Sequence, residues 1–548
     1  MFALLIGVLI ARPFAEIGVS DDWSYIWSAK VLAETGHLAY NGWATAMLGW
    51  QVYLGALFIK LFGFSFTATR WSVLMVSLFC AGLMQRVFVR SGTTDGTATI
   101  ATLTLVLSPL FVPLSFSFMT DIPGLLVVVV SIYCCLRAFQ ANSDKAALGW
   151  IACAALSNVA GGTVRQIAWL GALVMVPSAV WHMRHRRYML PAGIGLWIVG
   201  AAGIALAMHW FHKQPYAVIE KLFFTRPHYV DPTITLLFGT SISILPIASA
   251  FLLGAPSGKK RISTQVKIAT ACFGIVFLYA IGPHRVTDAF FGTNSGWFVN
   301  KFPNYILGGR AKILPLWVQS AIVILTLVSI ANVFVCLTKI FKESSKPATD
   351  SQVSNSALFS LFVPFSLAYI LLVITRGAFY DRYYLPLAFV FAICIVRVYR
   401  QTLSDRMSWV PIFIGIFYAA YGVCSLHDYY SFNRARLVAI QSVLATGVPR
   451  TSLEAGFEYD AWTQLQQSGY VNEPKIVYPV GAYQPWTPPP GVPDDCIYWY
   501  SSFTPSLKPI YHLSTDPDRC FKPSALKPVE YEMWMPPRRK AIYVLVDH

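Results

Sequence analysis

The residues able to carry acid–base or phosphate chemistry sit in short polar breaks between long apolar tracts. Directly after the first tract, Ser20-Asp21-Asp22-Trp23-Ser24-Tyr25 sets two carboxylates side by side, and Thr120-Asp121-Ile122-Pro123 holds a third in a very short turn. Farther on, Thr375-Arg376 and Tyr380-Asp381-Arg382-Tyr383-Tyr384-Leu385-Pro386 gather two arginines and three tyrosines, and Arg165-Gln166 is another polar pair between apolar segments. A carboxylate at such a boundary can take a proton from a hydroxyl or orient the group that does, and two carboxylates can hold a divalent metal. The planar guanidinium fork suits phosphate, and tyrosines suit a membrane interface beside it. Plainer roles compete at each place. Ser and Asp cap helix N-termini, and an Arg in an aromatic belt snorkels toward water.

The elements that must position these groups are apolar helices. The 548 residues are 56% hydrophobic and only 12% charged, against about 45–50% and about 25% in ordinary soluble domains. That excludes a soluble globular enzyme. A spanning helix needs about 20 mainly apolar residues. Thirteen such segments can be drawn, near 1–17, 67–89, 97–116, 122–140, 147–164, 167–183, 188–210, 233–254, 267–283, 314–338, 355–375, 384–400 and 409–425. The spacing of Trp23, Ile26, Trp27, Lys30, Val31 and Glu34 predicts an amphipathic helix in the interface, with the Asp pair at its start. Residues 1–17 lack the charged start and cleavage site of a removable signal and read as a retained helix, short for a span, with Arg12 snorkelling and a truncated start left open.

The net charge of +16 belongs to the apolar part: residues 426–548 hold 11 basic and 12 acidic side chains. No nucleic-acid motif accompanies it. The clusters Arg184-His185-Arg186-Arg187, Lys259-Lys260-Arg261 with Lys267, Lys339/Lys342/Lys346 and Arg397/Arg400/Arg406 share one parity and are expected on the cytoplasmic side. Asp21, Asp121, Arg382 and everything after residue 425 then face outward. Every acid before residue 426 falls in a loop or at a boundary, none in mid-span. Ion-coupled transport usually needs a carboxylate near the midplane, so the pattern favours chemistry at the outer face. The expected division is a transmembrane unit, 1–425, and a small extracytoplasmic α/β or irregular domain, 426–548, which holds 15 of the 33 prolines. Cys496 and Cys520 are the two cysteines of that polar tail and are disulfide candidates outside the cytoplasm.

Taken in order, several of these features resemble one family. They are the span followed by Asp21-Asp22-Trp23-Ser24-Tyr25 with Ala29, Leu32 and Gly36; Lys60-Leu61-Phe62-Gly63 before Arg70; the Met119-Thr120-Asp121-Ile122-Pro123 turn; and Arg382-Tyr383-Tyr384-Leu385-Pro386. Together they resemble the C-type glycosyltransferase superfamily, in the branch of protein O-mannosyltransferases and the lipid A aminoarabinose transferase, classed with glycosyltransferase families 39 and 83. The resemblance implies a polytopic α-helical GT-C fold of about 13 transmembrane helices, interfacial helices in the first outer loop and an extracytoplasmic C-terminal domain. It carries the family's catalytic Asp to Asp21, with Asp22 at the second acidic position. Arginine and lysine side chains of the family grip the phosphate of a polyprenyl-phosphate sugar. Where many relatives have Lys-Pro-Pro in the first loop, Met47-Leu48-Gly49-Trp50 stands here.

The expected reaction is sugar transfer, with inversion, from a polyprenyl phosphate to an extracytoplasmic protein, lipid or glycan acceptor. The expected setting is the bacterial inner membrane. Asp21 would be the base and Asp121 its orienter or second carboxylate, with Arg382, Arg376, Arg165 and Tyr383 around the donor phosphate. A divalent metal between Asp21 and Asp121 is the one cofactor left open. Alternatives are an O-antigen ligase or polymerase and, from another class, a lipid or sugar transporter. Neither sugar nor acceptor is written in a local motif.

Overall fold

A computed structural model describes residues 1–220, 222, 230–252, 306–308, 314–343, 353–376, 380–403, 407–471, 496 and 500–547. The expected span near 267–283 and the basic cluster from Lys259 to Lys267 lie outside these residues. In chain order the helices are α1 (Phe2–Ala11), α2 (Asp22–Thr35), α3 (Trp50–Phe62), α4 (Phe66–Arg90), α5 (Asp95–Val106), α6 (Phe111–Ser115), α7 (Asp121–Phe139) and α8 (Asp144–Gly162). They continue as α9 (Val176–His182), α10 (Met189–His212), α11 (Val230–Ser243), α12 (Leu245–Ala248), α13 (Leu316–Glu343), α14 (Asn355–Ile374), α15 (Leu385–Thr402), α16 (Val410–Leu444) and α17 (Phe457–Ser468). Among the described residues seven helices are long and apolar enough to cross a membrane, or eight if the bent pair of α11 with α12 is one span. The seven are α4, α7, α10, α13, α14, α15 with the 3-10 turn before it, and α16.

Several boundaries differ from the apolar tracts, for local reasons. The tract near 97–116 is not one helix. It breaks after Val106, where Pro109 removes a backbone donor and Ser108 Oγ instead accepts the Phe111 N–H at 3.1 Å. The tract near 233–254 bends by 67° just before Pro246. The first helix stops at Ala11, because Arg12 turns left-handed (φ 48°) ahead of Pro13. The last apolar tract ends near 425, yet its helix, α16, runs unbroken to Leu444, so the 425/426 division falls inside one helix.

A short turn joins α7 to α8, α4 packs against α7 across the intervening α5 and α6, and the first turns of α4 and α7 come to the same end of the bundle. There Asp22 bonds both Arg70 of α4 and the Phe118 N–H just before α7. At the opposite end, Arg397 of α15 donates to the carbonyl oxygens of Ser91 and Val353. After α16 the chain forms β1 (Leu453–Glu454), α17, β2 (Tyr511–Ser514), β3 (Lys522–Pro523), β4 (Val529–Glu532) and β5 (Arg539–Val546). The sheet order is β1-β2-β5-β3, with β1 parallel to β2, β5 antiparallel to β2 and β3, and β4 also paired to β5. Cys496 and Cys520 are joined by a disulfide.

This tail packs directly on the first loop. Rings of Trp23 and Trp43 meet Phe457 at 5.4 and 4.7 Å, and Trp27 meets Trp462 edge-on at 5.1 Å. Such aromatic pairs add about 0.5–1.5 kcal/mol each beyond area burial.

Candidate active site

Asp21 occupies the N-cap position of α2 without capping it through its side chain, and the approach to it is strained. Ser20 before it is left-handed (φ 55°), and its N–H donates to Glu458 Oε1 of α17 at 3.3 Å. After it, the Asp22 carboxylate is buried and filled: it accepts from Arg70 Nε at 2.7 Å, the Val19 N–H at 2.7 Å and the Phe118 N–H at 3.4 Å. Burial pushes the Asp22 carboxyl above its ordinary range, while Arg70 and these amides pull it back. Asp22, expected as a second acidic position, is thus turned inward, away from Asp21. Asp21 keeps 21% of its side chain exposed. Its Oδ1 accepts from Trp43 Nε1 at 3.1 Å, and its Oδ2 lies 3.5 Å from Arg382 Nη2.

The second carboxylate comes from the first turn of α7. Asp121 Oδ1 lies 2.6 Å from Arg165 Nη1 and 3.7 Å from Arg382 Nε, and its side chain is 2% exposed. Gly124, one turn on, lets Arg165 cross this helix: a Cβ there would stand 2.9 Å from the Arg165 Cβ. Arg165 also donates to Thr120 Oγ1 at 3.2 Å. Arg382 sits on the 3-10 turn Asp381–Tyr384 that opens α15, where Pro386 starts the helix.

Tyr383 is the hub of the basic side. The guanidinium carbons of Arg376, Arg165 and Arg382 lie 4.8, 5.3 and 6.0 Å from its ring centre, and Arg382 also stands 4.3 Å over Tyr380. The Tyr383 carbonyl accepts from Tyr369 Oη at 2.8 Å. Arg376 is engaged in a two-pronged ion pair with Glu220. Burial works against the Arg376 cation, but Tyr383 and Glu220 outweigh it and raise its value. Burial pushes the phenol of Tyr25, one turn from Asp21 on α2, well up, and Asp21 acts in the same direction.

The structure therefore gathers Asp21, Asp121, Arg165, Arg376, Arg382 and Tyr383 from five separate stretches of chain. Of the three guanidiniums, Arg165 and Arg376 each have a close carboxylate partner, whereas Arg382 reaches two at longer range. In the first loop no lysine takes the place of the missing Lys-Pro-Pro. There the Gly49 N–H donates to the Thr163 carbonyl at 3.1 Å and the Tyr40 hydroxyl to the Met47 carbonyl at 2.6 Å.

Sequence reasoning passed over Trp43, Glu220, Tyr369 and Glu458 as members of this site. Glu458 is 438 residues from the amide it accepts, and no local pattern marks it. Its other oxygen accepts from Arg436 Nη2 at 2.9 Å, and both side chains are buried.

The donors present fit a divalent ion poorly. Both carboxylates already face Arg382, and among the described residues no group of three or more His, Cys, Asp or Glu side chains stands together.

Beside α15, an apolar cavity of about 530 Å³ is lined by Ile234, Phe238, Leu358, Phe391, Cys394 and Val398 among others. Arg397, Asn355 and Gln401 close its far end.

No known protein-family model matches the chain, and no curated protein matches it. Among solved structures it is similar to ArnT from Cupriavidus metallidurans in the apo state, at 10% identity over 99% of this chain and 97% of that one, TM-score 0.42. The same protein bound to undecaprenyl phosphate gives 12% identity, the same coverage and a TM-score of 0.39. The archaeal oligosaccharyltransferase AglB from Archaeoglobus fulgidus, in complex with an inhibitory peptide and a dolichol-phosphate, gives 10% identity over 95% of this chain and 64% of that one, TM-score 0.40.

Proposed function

We propose that the chain is an integral membrane glycosyltransferase that moves a sugar from a polyprenyl-phosphate donor to an acceptor hydroxyl outside the cytoplasm. The observation that carries this reading is Arg382, which stands between Asp21 and Asp121 at one end of the bundle, with Arg165 on the same Asp121 oxygen and Arg376 beside the Tyr383 ring. Sugar transfer needs a base for the acceptor and a cationic seat for a leaving phosphate, and both kinds of group meet here.

In this reading the acceptor oxygen attacks the anomeric carbon while Asp21 takes its proton. The bond from that carbon to the phosphate oxygen breaks, and its electron pair leaves with the phosphate. Arg382, the least committed guanidinium, turns from the carboxylates to that oxygen. That movement also frees Asp21 as a base, so donor binding and base activation are coupled through one side chain. Asp121 holds Arg165 in place. Trp43 orients Asp21 through its indole N–H. The apolar cavity beside α15 begins at Phe391, nine residues past Arg382, and offers room deeper in the bundle for a prenyl chain that runs down this helix. Attack opposite the leaving group inverts the anomeric centre.

The site is proposed to face the extracytoplasmic side, because the basic loops that flank α9, α10 and α15 lie at the other end of their helices. Reporter fusions after Gly36 and Pro449 test this; a cytoplasmic signal at either overturns the orientation. The activity is tested by incubating purified protein with radiolabelled polyprenyl-phosphate sugars and candidate acceptors. Release of one sugar per donor onto an acceptor supports the transferase. Chain growth on a lipid-linked glycan indicates a polymerase, and movement of intact donor across the bilayer without cleavage indicates a transporter.

A further inference from the structure

The ends of α4 and α7 farthest from Asp21 and Asp121 frame a second, half-open pocket, of about 360 Å³, lined by Arg86, Val89, Arg90, Tyr133 and Gln140. We propose that this cavity holds the phosphate of an anionic phospholipid, in the leaflet opposite the candidate active site.

Charge is the first argument. Arg86 is exposed, and Arg90 is fixed by exchange with Gln140: Arg90 Nη1 donates to Gln140 Oε1 at 3.3 Å, and Gln140 Nε2 donates to the Arg90 carbonyl at 3.2 Å. One turn beyond Tyr133, Arg137 stacks over Trp150 at 5.0 Å, and its Nε is buried without a hydrogen-bond partner among the described residues. The ion pairs of the described residues include none from Arg86, Arg90 or Arg137. Asp95 is taken by Gln85 at 3.3 Å, and Asp144 lies 4.0 Å from Arg186. Arg86 and Arg90 line the pocket without a counter-charge, and Arg137 stands one turn beyond its Tyr133 wall; such a cluster calls for an anion, and a phosphate offers two or more acceptors to the guanidinium fork.

Depth is the second argument. Arg70, in the first turn of α4, marks the active-site end. Arg86 and Arg90 lie 16 and 20 residues farther on, which is about 24 and 30 Å at about 1.5 Å per residue. A hydrocarbon core is about 30 Å thick, so the pocket sits at the opposite headgroup layer. The third argument is the wall that leads to it. Met75 and Phe79 are 49% and 59% exposed, and with Arg86 they follow one face of the helix at i, i+4 and i+11. An acyl chain laid along this face would place its phosphate beside Arg86. The edge-on pair of Tyr133 and Trp150, 6.0 Å apart, supplies an interfacial aromatic wall. A basic pocket between spanning helices at headgroup depth is a seat for an anionic lipid.

The test uses the full-length protein, delipidated in detergent and titrated by native mass spectrometry with phosphatidylglycerol, phosphatidylcholine or inorganic phosphate. The wild type is expected to take up one phosphatidylglycerol at least about ten-fold more tightly than phosphatidylcholine. Arg86→Gln is expected to weaken that adduct about ten-fold or more, Arg86→Lys less, and Arg86→Gln with Arg90→Gln to abolish the preference. Arg184→Gln with Arg187→Gln, which removes charge elsewhere on the same face, should leave it unchanged. Equal uptake of the two lipids, or full retention of the preference in the exposed Arg86→Gln variant, overturns the proposal. Inorganic phosphate that binds as tightly as phosphatidylglycerol overturns the lipid as the ligand in favour of a soluble anion.

Discussion

Arg382 Nη2 lies 3.5 Å from Asp21 Oδ2. The base and the phosphate-binding cation of the proposed reaction are thus each other's resting partners, and each can be probed by removing the other.

Replacing Asp21 by Asn keeps the shape and the Trp43 hydrogen bond but removes the basicity. Turnover is expected to fall by about 10²–10⁴-fold, the usual contribution of a positioned base, with donor affinity equal to or slightly above wild type because Arg382 is released. Stopped assays with labelled donor and a separate binding titration check this. Unchanged turnover would remove Asp21 from the chemistry.

Arg382→Ala is expected to weaken polyprenyl-phosphate binding by roughly 10- to 150-fold, from about 1.5–3 kcal/mol for a charge-assisted contact. Arg382→Lys should recover part of the loss, having the charge without the fork. If Arg382→Ala bound donor as the wild type does and only melted earlier, the residue would be a packed interfacial arginine, and the phosphate would belong to Arg376 or Arg165.

Asp22 and Arg70 are both fully buried and paired at 2.7 Å. Breaking such a pair by removing one member costs about 3–5 kcal/mol, so Asp22→Asn and Arg70→Met should lower the melting temperature in detergent sharply. Asp21→Asn, at a partly exposed side chain, should barely move it. A stable Asp22→Asn protein without turnover would place Asp22 in the chemistry instead.

His512 lies 3.0 Å from Asp547 through Nε2 and 3.4 Å from Glu454 through Nδ1, with Phe521 stacked on its ring at 3.9 Å. Burial works against the imidazolium, but the two carboxylates outweigh it and raise its value above 6.5. The folded chain then holds this proton more tightly than the unfolded one. The stabilisation is complete below the unfolded value, about 6.5, and disappears as pH rises through the higher folded value. The difference in melting temperature between wild type and His512→Gln should therefore be largest below the unfolded value and shrink as pH rises above it. A difference that does not change with pH would show that His512 acts by packing alone.

The membrane class was determined by composition and by tract length, because an apolar run long enough to span needs no partner to be recognised. The candidate groups Asp21, Asp121, Arg165, Arg376 and Arg382 were legible for a related reason: polar residues in the breaks between such runs stand out singly. Helix ends were less legible. Pro109 and Ser108 divide a tract that hydrophobicity alone joins, and α16 continues 19 residues past the point where its apolar character stops. Only the tertiary structure separated Asp21 from its neighbour Asp22. Adjacent positions at a helix start point in different directions, and Arg70, 48 residues away, claimed one of them. It likewise brought Glu458 of the tail to the Ser20 amide, and Arg382 between two carboxylates from the first loop and α7. Contacts between segments hundreds of residues apart depend on how helices pack, and packing is set by the shape of the whole assembled bundle rather than by any local pattern.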